Sequence, residues 1–313
     1  MNNRSVTILL AAYKGNAFVP AQIESILAQD TQEWRLILSD DGEDTADVLQ
    51  SYADRYPDRI VHYRSGQRFG SAQKHFMHLL RVFGQEAPYT MFCDQDDFWH
   101  PDKVRKTLDK MRETEREIGA DKPVLIHTDL RVVDESLQEI SPSFTAFSRL
   151  DGDRLGFAQL LTQNVVTGCT VMINRPLAAL SLRSADAPQI VMHDWWLALL
   201  AAAFGKAAYL PEATIDYRQH GKNVVGAKNA GSFSYLLSRL SGQYVKKMRD
   251  DTAVQAAALL KLYGAEMKEE DRQSCQAFVG LLSHGKLWRL RAMIRYGFWK
   301  NTLPRRIGQW IWW

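Results

Sequence analysis

Apolar and polar positions in the first half of the chain follow two alternating patterns. Short apolar runs predict buried strands, and apolar residues spaced three and four apart predict amphipathic helices. Each predicted strand is followed by a predicted helix. The strands are predicted at residues 6–10, 36–38, 60–63 and 89–93, and the helices around residues 19–27, 48–52, 76–83 and 104–111.

Strands that alternate with helices predict right-handed βαβ units, and so an α/β fold with a mainly parallel, Rossmann-like sheet flanked by helices. Ligands of such sheets bind beyond the carboxyl ends of the strands. Acidic residues stand at two of these ends: Asp40 and Asp41 follow the second strand, and Asp94, Asp96 and Asp97 follow the fourth. The candidate site therefore lies at this edge of the sheet.

The second half of the chain is less regular. His127 and Asp129 stand at the end of a predicted strand, where they either line the cleft or form an ordinary exit from strand to loop. Apolar runs predict strands at residues 124–126, 169–173 and 214–217 and a buried helix at 195–204.

Small and polar residues fill the stretch 221–231, which is typical of a loop. From Ser232 onward every apolar pattern is helical. We therefore predict a domain boundary near residue 230, between an α/β domain (1–230) that contains the candidate site and a C-terminal helical region (231–313).

Composition indicates an ordinary globular protein: of 313 residues, 46% are hydrophobic and 24% charged. A formal net charge of +3 is too small to indicate nucleic acid as a partner. The three cysteines, Cys93, Cys169 and Cys275, lack the spacing of a zinc site, so structural thiols in a reducing cytoplasm are expected. Apolar runs are also too short for a signal peptide or a membrane-spanning helix.

The carboxylates of Asp94, Asp96 and Asp97 repel one another unless a cation lies between them. Mg²⁺ or Mn²⁺ prefers oxygen ligands and leaves positions for water and substrate phosphates, so these carboxylates and a diphosphate would complete its shell. The alternative is a solvated acidic turn that caps the next helix. The position directly after a strand favours the metal site.

Three segments together resemble family 2 glycosyltransferases. Residues 6–16 resemble the opening strand and loop of that family, Ser39 to Gly42 its second acidic motif, and Asp94 to Asp97 its DxD motif. Order and spacing agree over residues 5–225. The resemblance implies a GT-A fold and inverting transfer of a sugar from a metal-bound nucleotide sugar.

The resemblance also implies roles for single residues. It assigns Asp41 to the nucleotide base, Asp94 to the ribose or phosphate, and Asp96 to the metal as principal ligand. Asp97 would orient the loop or the donor sugar, and Asp40 and Asp97 have helix capping as an alternative role. The implied donor-binding residues are Ala12, Tyr13, Asp41, Asp94, Asp96, Asp97, Gly168 and Arg218.

Inverting transfer needs a carboxylate that accepts the proton of the acceptor hydroxyl. By resemblance this base is Asp194, at the start of a helix, where the helix dipole keeps a carboxylate charged. A plain N-cap is the alternative. Trp195 and Trp196 are the implied acceptor-binding residues, and the role of His193 is open because family members often have Glu at this position.

Two further segments resemble the walls of the family's cleft. Gly168 would allow a close backbone approach to the sugar. His220 would complete the metal shell, although a surface or packing role is the alternative, and either Arg218 or Lys222 would meet the diphosphate.

No acidic residue follows Asp271, whereas basic and aromatic residues continue to the end of the chain. This pattern is typical of an interfacial helix on an anionic membrane, and predicts a peripheral protein on the cytoplasmic face of a bacterial plasma membrane. The alternative is a helical subdomain that packs on the catalytic domain or on a partner subunit such as a second copy. The basic residues are Arg272, Lys286, Arg289, Arg291, Arg295, Lys300, Arg305 and Arg306, and the aromatic residues are Trp288, Tyr296, Phe298, Trp299, Trp310, Trp312 and Trp313.

The motifs together most resemble the rhamnosyltransferase-type branch, which implies dTDP-L-rhamnose as donor and a lipid-linked saccharide of O-antigen, capsule or cell-wall synthesis as acceptor. A UDP-hexose donor is the alternative. A sugar-phosphate nucleotidylyltransferase would need a glycine-rich loop after the first strand, where this chain has only Gly15. A non-catalytic glycan-binding scaffold would tolerate Asp96→Asn and Asp194→Asn.

Overall fold

The computed structural model describes residues 4–220 and 242–313. One nine-stranded sheet runs through the molecule. Its strands are β1 (Val6–Ala12), β2 (Trp34–Asp40), β3 (Ile60–His62), β4 (Tyr89–Asp94), β5 (Phe98–Trp99), β6 (Val124–Val133), β7 (Glu139–Ser141), β8 (Met172–Asn174) and β9 (Lys206–Arg218). The helices are α1 (Val19–Leu27), α2 (Ala46–Arg55), α3 (Ala72–Phe83), α4 (Lys103–Ile118), α5 (Phe144–Phe147), α6 (Phe157–Thr162), α7 (Arg175–Ser181), α8 (His193–Phe204), α9 (Gly242–Tyr263), α10 (Glu269–Gly280), α11 (Lys286–Tyr296) and α12 (Leu303–Trp312).

The order of the strands is β3-β2-β1-β4-β8-β6-β9-β5, and β7 pairs with β6. The first four strands are parallel, as the βαβ pattern predicts, with Ala12 opposite Asp40 and Ala11 opposite Asp94. This register brings the two acidic clusters to either side of the end of β1. The α/β fold class is confirmed, whereas the second half of the sheet is mixed because β8 runs antiparallel to both β4 and β6.

The predicted elements of the first half all form, and two predictions in the second half differ from the structure. Residues Gly168–Thr170 form a short 3₁₀ turn before β8, where one strand was predicted over 169–173. The predicted strand at 214–217 is the end of the much longer β9. The first part of β9 is only partly buried, so its apolar pattern is weak.

Alternate residues of the central strands enter two separate hydrophobic clusters. Leu9 and Ile37 belong to the cluster that includes α3 and α8, and Ile8 and Leu36 belong to the cluster that includes α1 and α4. Because side chains of a strand point to opposite faces in turn, helices must cover both faces of this sheet. The ends of the strands remain as the place for a ligand.

The C-terminal helices α9 to α12 share the core of the sheet. Tyr263, Phe278 and Trp313 lie in the same cluster as Leu9, and the Tyr263 hydroxyl donates to the Leu180 carbonyl at 2.9 Å. The predicted boundary near 230, the predicted loop at 221–231 and Lys222 lie outside the described residues, so the division into 1–230 and 231–313 stays a prediction.

Within the described residues, every helix is too short or too polar to cross a bilayer. All three cysteines are buried and none forms a disulfide bond.

Candidate active site

A cavity of about 1270 Å³ opens at the carboxyl ends of the parallel strands. Its walls come from the loops after β1, β2 and β4, from the start of α8, and from α12. Most residues that the sequence assigns to the donor, the metal and the base meet here. The cavity-lining members of that set are Ala12, Tyr13, Asp41, Asp94, Asp96, Gly168, Asp194, Trp195 and His220.

The acidic cluster after β4 concentrates negative charge in a buried place. Burial, together with the charges of Asp96 and Asp194, raises the pKa of Asp94 to about 7. Burial and the neighbouring carboxylates also raise the pKa of Asp97 well above its usual range. Burial is the largest cause of both shifts, and the neighbouring carboxylates add to it. A divalent ion between the carboxylates would reduce their repulsion.

The side chains that face this cluster suit such an ion. The imidazole Nε2 of His220 lies 2.7 Å from Oδ2 of Asp96, and the ring stacks on Phe18 with centroids 4.8 Å apart. Carboxylate oxygens are the ligands that Mn²⁺ and Mg²⁺ prefer. The carboxylates of the cluster therefore fit the ion, and Asp94 and Asp96, with His220 beside Asp96, are the residues proposed to hold it.

Arg218 and Asp97 bind each other and the acidic loop on the side away from the cavity. The Arg218 amide donates to Oδ1 of Asp97 at 3.3 Å, and its guanidinium Nε donates to the Asp96 carbonyl at 2.9 Å. Both side chains are buried and neither lines the cavity. These bonds join the two residues to each other and to the Asp96 carbonyl, and direct contacts of Arg218 or Asp97 with a donor stay a prediction.

The loops that would receive the nucleotide are joined by side chains that the sequence patterns did not single out. Gln95 Oε1 accepts from the Tyr13 amide at 2.7 Å, and Gln95 Nε2 donates to the Tyr13 carbonyl at 3.0 Å. Arg68 Nη2 donates to the Tyr13 hydroxyl at 2.8 Å. The position of Gln95 inside the DxD motif was the available clue, whereas Arg68 had none.

The two acidic residues after β2 differ in role. Asp41 accepts from the amides of Phe69 and Gly70, the latter at 2.8 Å, and still lines the cavity. Asp40 accepts from the Thr45 amide at 2.6 Å, at the start of α2. Asp40 therefore binds the turn between β2 and α2, and α2 has no side-chain cap.

Asp194 lies in the first turn of α8 and faces the cavity. Burial raises the pKa of its carboxyl to about 6, although hydrogen bonds from the Trp195 amide, the Asn164 side chain and the Gly168 amide lower it in part. The Trp195 amide donates to Oδ1 at 2.7 Å. A carboxylate with this pKa is ionised at neutral pH and is a stronger base than an exposed aspartate.

His193 is packed next to Asp194, between the rings of Phe76 and Phe92 at centroid distances of 4.5 and 5.1 Å. Burial lowers its pKa to about 3, so the ring is neutral. Neither ring nitrogen has a hydrogen-bond partner among the described residues. Gly168 closes over this ring, since a Cβ at Gly168 would lie 2.9 Å from Nε2 of His193.

The two tryptophans after Asp194 lie in different surroundings, one at the cavity and the other in the core. Trp195 lines the cavity, and its indole donates to the Leu160 carbonyl at 2.6 Å. Trp196 is fully buried and donates to Ser184 Oγ at 2.7 Å. Trp196 is thus a core residue, because successive helical residues lie about 100° apart, and the prediction of an acceptor contact applies only to Trp195.

His127 and Asp129 lie within β6, which continues to Val133, and not at the end of a strand as predicted. His127 Nε2 lies 3.1 Å from the Gly152 carbonyl, and Asp129 accepts from the hydroxyls of Ser143 and Thr145 at 2.6 and 2.8 Å. Neither residue lines the cavity.

Comparison with known protein families matches the model of glycosyl transferase family 2 to residues 7–178, which is more than half of the chain. The chain belongs to glycosyl transferase family 2. It is therefore a glycosyltransferase, and the matched segment contains Asp41, Asp94 and Asp96, three of the cavity residues described above.

Two relatives of known family differ in how much of this chain they resemble. The dTDP-rhamnosyl transferase RfbG of Shigella flexneri is 26% identical over 292 residues, covering 90% of this chain and 94% of its own. The putative teichuronic acid biosynthesis glycosyltransferase TuaG of Bacillus subtilis is 30% identical over 110 residues, covering 34% and 42%.

Solved structures share the GT-A fold with this transferase. TarS of S. aureus in complex with UDP-GlcNAc superposes with a TM-score of 0.54 at 11% identity, over 93% of this chain and 80% of that one. The mannosyltransferase PcManGT of Pyrobaculum calidifontis, in complex with GDP-Man and Mn²⁺, gives 0.55 at 14% identity, over 93% and 73%. At these identities the likeness supports the fold alone.

Proposed function

We propose that this enzyme is an inverting, divalent-metal-dependent transferase that moves L-rhamnose from dTDP-L-rhamnose to a saccharide acceptor in bacterial surface polysaccharide synthesis. The single observation that carries the chemistry is that Asp194 and the acidic cluster of Asp94 and Asp96 line one cavity. The donor assignment is supported by the dTDP-rhamnosyl transferase that resembles nearly the whole chain.

In the proposed reaction, the acceptor hydroxyl attacks the anomeric carbon of the donor sugar. Asp194 accepts the hydroxyl proton as the new C–O bond forms, and the bond from the anomeric carbon to the diphosphate oxygen breaks on the opposite face. The products are the glycosylated acceptor with inverted configuration and the nucleoside diphosphate. Trp195, beside the base, is the proposed contact of the acceptor.

The donor would bind along the ends of β1, β2 and β4. Asp41, Ala12 and Tyr13 lie on the nucleotide side, and Asp94 and Asp96 on the diphosphate side. Held by Asp94, Asp96 and His220, Mg²⁺ or Mn²⁺ would neutralise charge on the leaving diphosphate. Gly168 lines the cavity beside Asp194, and its backbone is the proposed contact of the sugar.

The proposed acceptor is a saccharide linked to a lipid, and the proposed location is the inner face of the plasma membrane. Basic and aromatic residues of the C-terminal helices support this proposal. UDP-hexose remains the alternative donor, because a structure with the same fold holds UDP-GlcNAc.

A donor panel tests the proposal. Purified enzyme is incubated with dTDP-L-rhamnose, UDP-glucose, UDP-GlcNAc or GDP-mannose, with Mn²⁺ or EDTA, and release of nucleoside diphosphate is measured. Metal-dependent release from dTDP-L-rhamnose is expected, and release only from a UDP-sugar would move the assignment to the alternative. Full activity of Asp96→Asn and Asp194→Asn, relative to the exposed control Asp186→Asn, would support a binding scaffold.

A further inference from the structure

Helix α12 turns its polar side toward the protein. Gln309 is buried, and its side chain donates to the Phe298 carbonyl at 2.7 Å and accepts from the Lys300 amide at 3.1 Å. The guanidinium of Arg305 donates to the carbonyls of Ser148 and Arg149 at 2.8 and 2.9 Å. These bonds fix the rotation of the helix on the catalytic part of the molecule.

The opposite side of α12 is apolar and exposed. Leu303 is 69% exposed, Ile307 52%, Trp310 43% and Ile311 52%. Their spacing of four, three and one residues places them on one stripe of the helix. Surface helices of globular proteins have the reverse arrangement, so this outward stripe needs an apolar partner.

The stripe is continuous with the wall of the active-site cavity, because Ile307 and Ile311 line that cavity as well. On its other side, Leu303, Ile307 and Trp310 form a second surface cavity of about 300 Å³ together with Trp299 and Arg306. An apolar surface therefore leads from outside the molecule to the place where the acceptor would bind.

Arg306 lies beside the stripe in the second surface cavity, and α11 adds exposed apolar and basic residues. On α11, Leu287 and Ile294 are 76% and 64% exposed, and the exposed Arg291 and Arg295 share their face at helical spacing. Arg289 donates to the Trp313 carbonyl and so ties α11 to the end of α12. A second copy docked face to face would bring like charges together, whereas an anionic lipid surface complements both the charge and the apolar stripe.

We propose that α12 lies in the interface of an anionic bilayer, with the stripe of Leu303, Ile307, Trp310 and Ile311 in the acyl region and the cavity mouth at the lipid surface. The lipid of the acceptor then stays in the membrane while its saccharide enters the cavity beside Ile307 and Ile311. This inference rests on the proposed function for the nature of the acceptor, and on the orientation of α12 for the membrane contact.

Flotation with vesicles tests the inference. The full-length protein is mixed with vesicles of phosphatidylglycerol and phosphatidylethanolamine, or of phosphatidylcholine alone, and the bound fraction is measured after centrifugation. The test variant is Leu303→Gln/Trp310→Gln, whose sites lie outside the active-site cavity. The matched control is Ile140→Gln/Val254→Gln, at residues that are 50% and 52% exposed elsewhere.

Parent and control are expected to float with the anionic vesicles and less with phosphatidylcholine. The test variant should bind about tenfold more weakly, since two apolar side chains leave the lipid contact. Equal binding of test variant and parent would overturn the inference. The inference would also be overturned if the parent bound neither kind of vesicle and light scattering showed dimers of the parent but not of the test variant.

Nucleotide-sugar hydrolysis is measured on the same samples. The test variant should hydrolyse the donor as fast as the parent and melt at the same temperature. Loss of vesicle binding with intact hydrolysis supports the membrane contact. If no donor is hydrolysed by any variant while vesicle binding still depends on Leu303 and Trp310, the proposed function fails and the membrane contact stands.

Discussion

The His220 imidazole and the Asp96 carboxylate form one pair, with Nε2 and Oδ2 2.7 Å apart. The pair links the end of β9 to the loop after β4, two segments that are 124 residues apart in sequence. It also holds a carboxylate of the acidic cluster beside an imidazole nitrogen at the cavity wall. Metal binding, base catalysis and packing around this cavity each lead to a separate expectation.

Mn²⁺ added with nucleoside diphosphate should raise the melting temperature, because a ligand that binds only the folded state stabilises it. At a ligand concentration of about 100 times Kd, the free energy of unfolding rises by about 2.7 kcal/mol. Each kcal/mol raises the melting temperature by roughly 2 to 4 °C. Asp96→Asn should lose most of this shift, measured by scanning fluorimetry, whereas Asp186→Asn keeps it. A shift that survives in Asp96→Asn would exclude Asp96 as principal ligand.

Asp194→Asn should abolish sugar transfer and stabilise the protein. The pKa of the Asp194 carboxyl is about 6 in the folded protein against an ordinary 3.8, so ionisation above that pKa costs stability on the order of 1–3 kcal/mol. The variant should therefore melt several degrees higher at pH 7 to 8. Because both states are protonated below the ordinary pKa, the advantage should shrink as the pH falls from 6 toward 3.8.

The rate of transfer should fall with pH as Asp194 takes up a proton. A base with a pKa of about 6 is half protonated there, so kcat/KM should decrease about tenfold for each unit below this value. Initial rates between pH 5 and 8 at saturating Mn²⁺ measure the profile. A flat profile across this range would contradict Asp194 as the base.

Gly168→Ala should slow transfer and destabilise the site. Its new Cβ would lie 2.9 Å from Nε2 of His193, whose ring is held between Phe76 and Phe92 and has no free space to shift. A displaced α8 start moves Asp194, so kcat should fall about tenfold to a hundredfold. The control Gly285→Ala meets no atom within 4 Å and should keep its activity. An unchanged kcat in Gly168→Ala would contradict this prediction, because the His193 ring would then accommodate the new Cβ without moving Asp194.

Much of the candidate site follows from local patterns. The period of apolar residues identifies β1, β2 and β4, and Asp41, Asp94 and Asp96 stand directly at the ends of these strands. Parallel strands end at one edge, so their loops had to meet. Motif order predicts Asp194 as the base, since a helix start by itself does not separate a catalytic base from a cap.

Other contacts depend on residues far apart in the chain. Arg218 bonds the Asp96 carbonyl, and Gln95 bonds the amide and the carbonyl of Tyr13. No periodic pattern in the sequence indicates these bonds. Trp195 and Trp196 are identical residues in adjacent positions, yet one lines the cavity and the other fills the core.

Side-chain periodicity is a property of the backbone geometry of each element, and so the chain alone specified the strands, their acidic ends and the basic, aromatic tail. The rotation of α12 was decided by long-range packing: the Gln309 and Arg305 side chains find carbonyl partners on the protein, which leaves Leu303 and Trp310 facing outward. Hydrogen-bond partners are chosen by three-dimensional proximity, which no spacing along the sequence records.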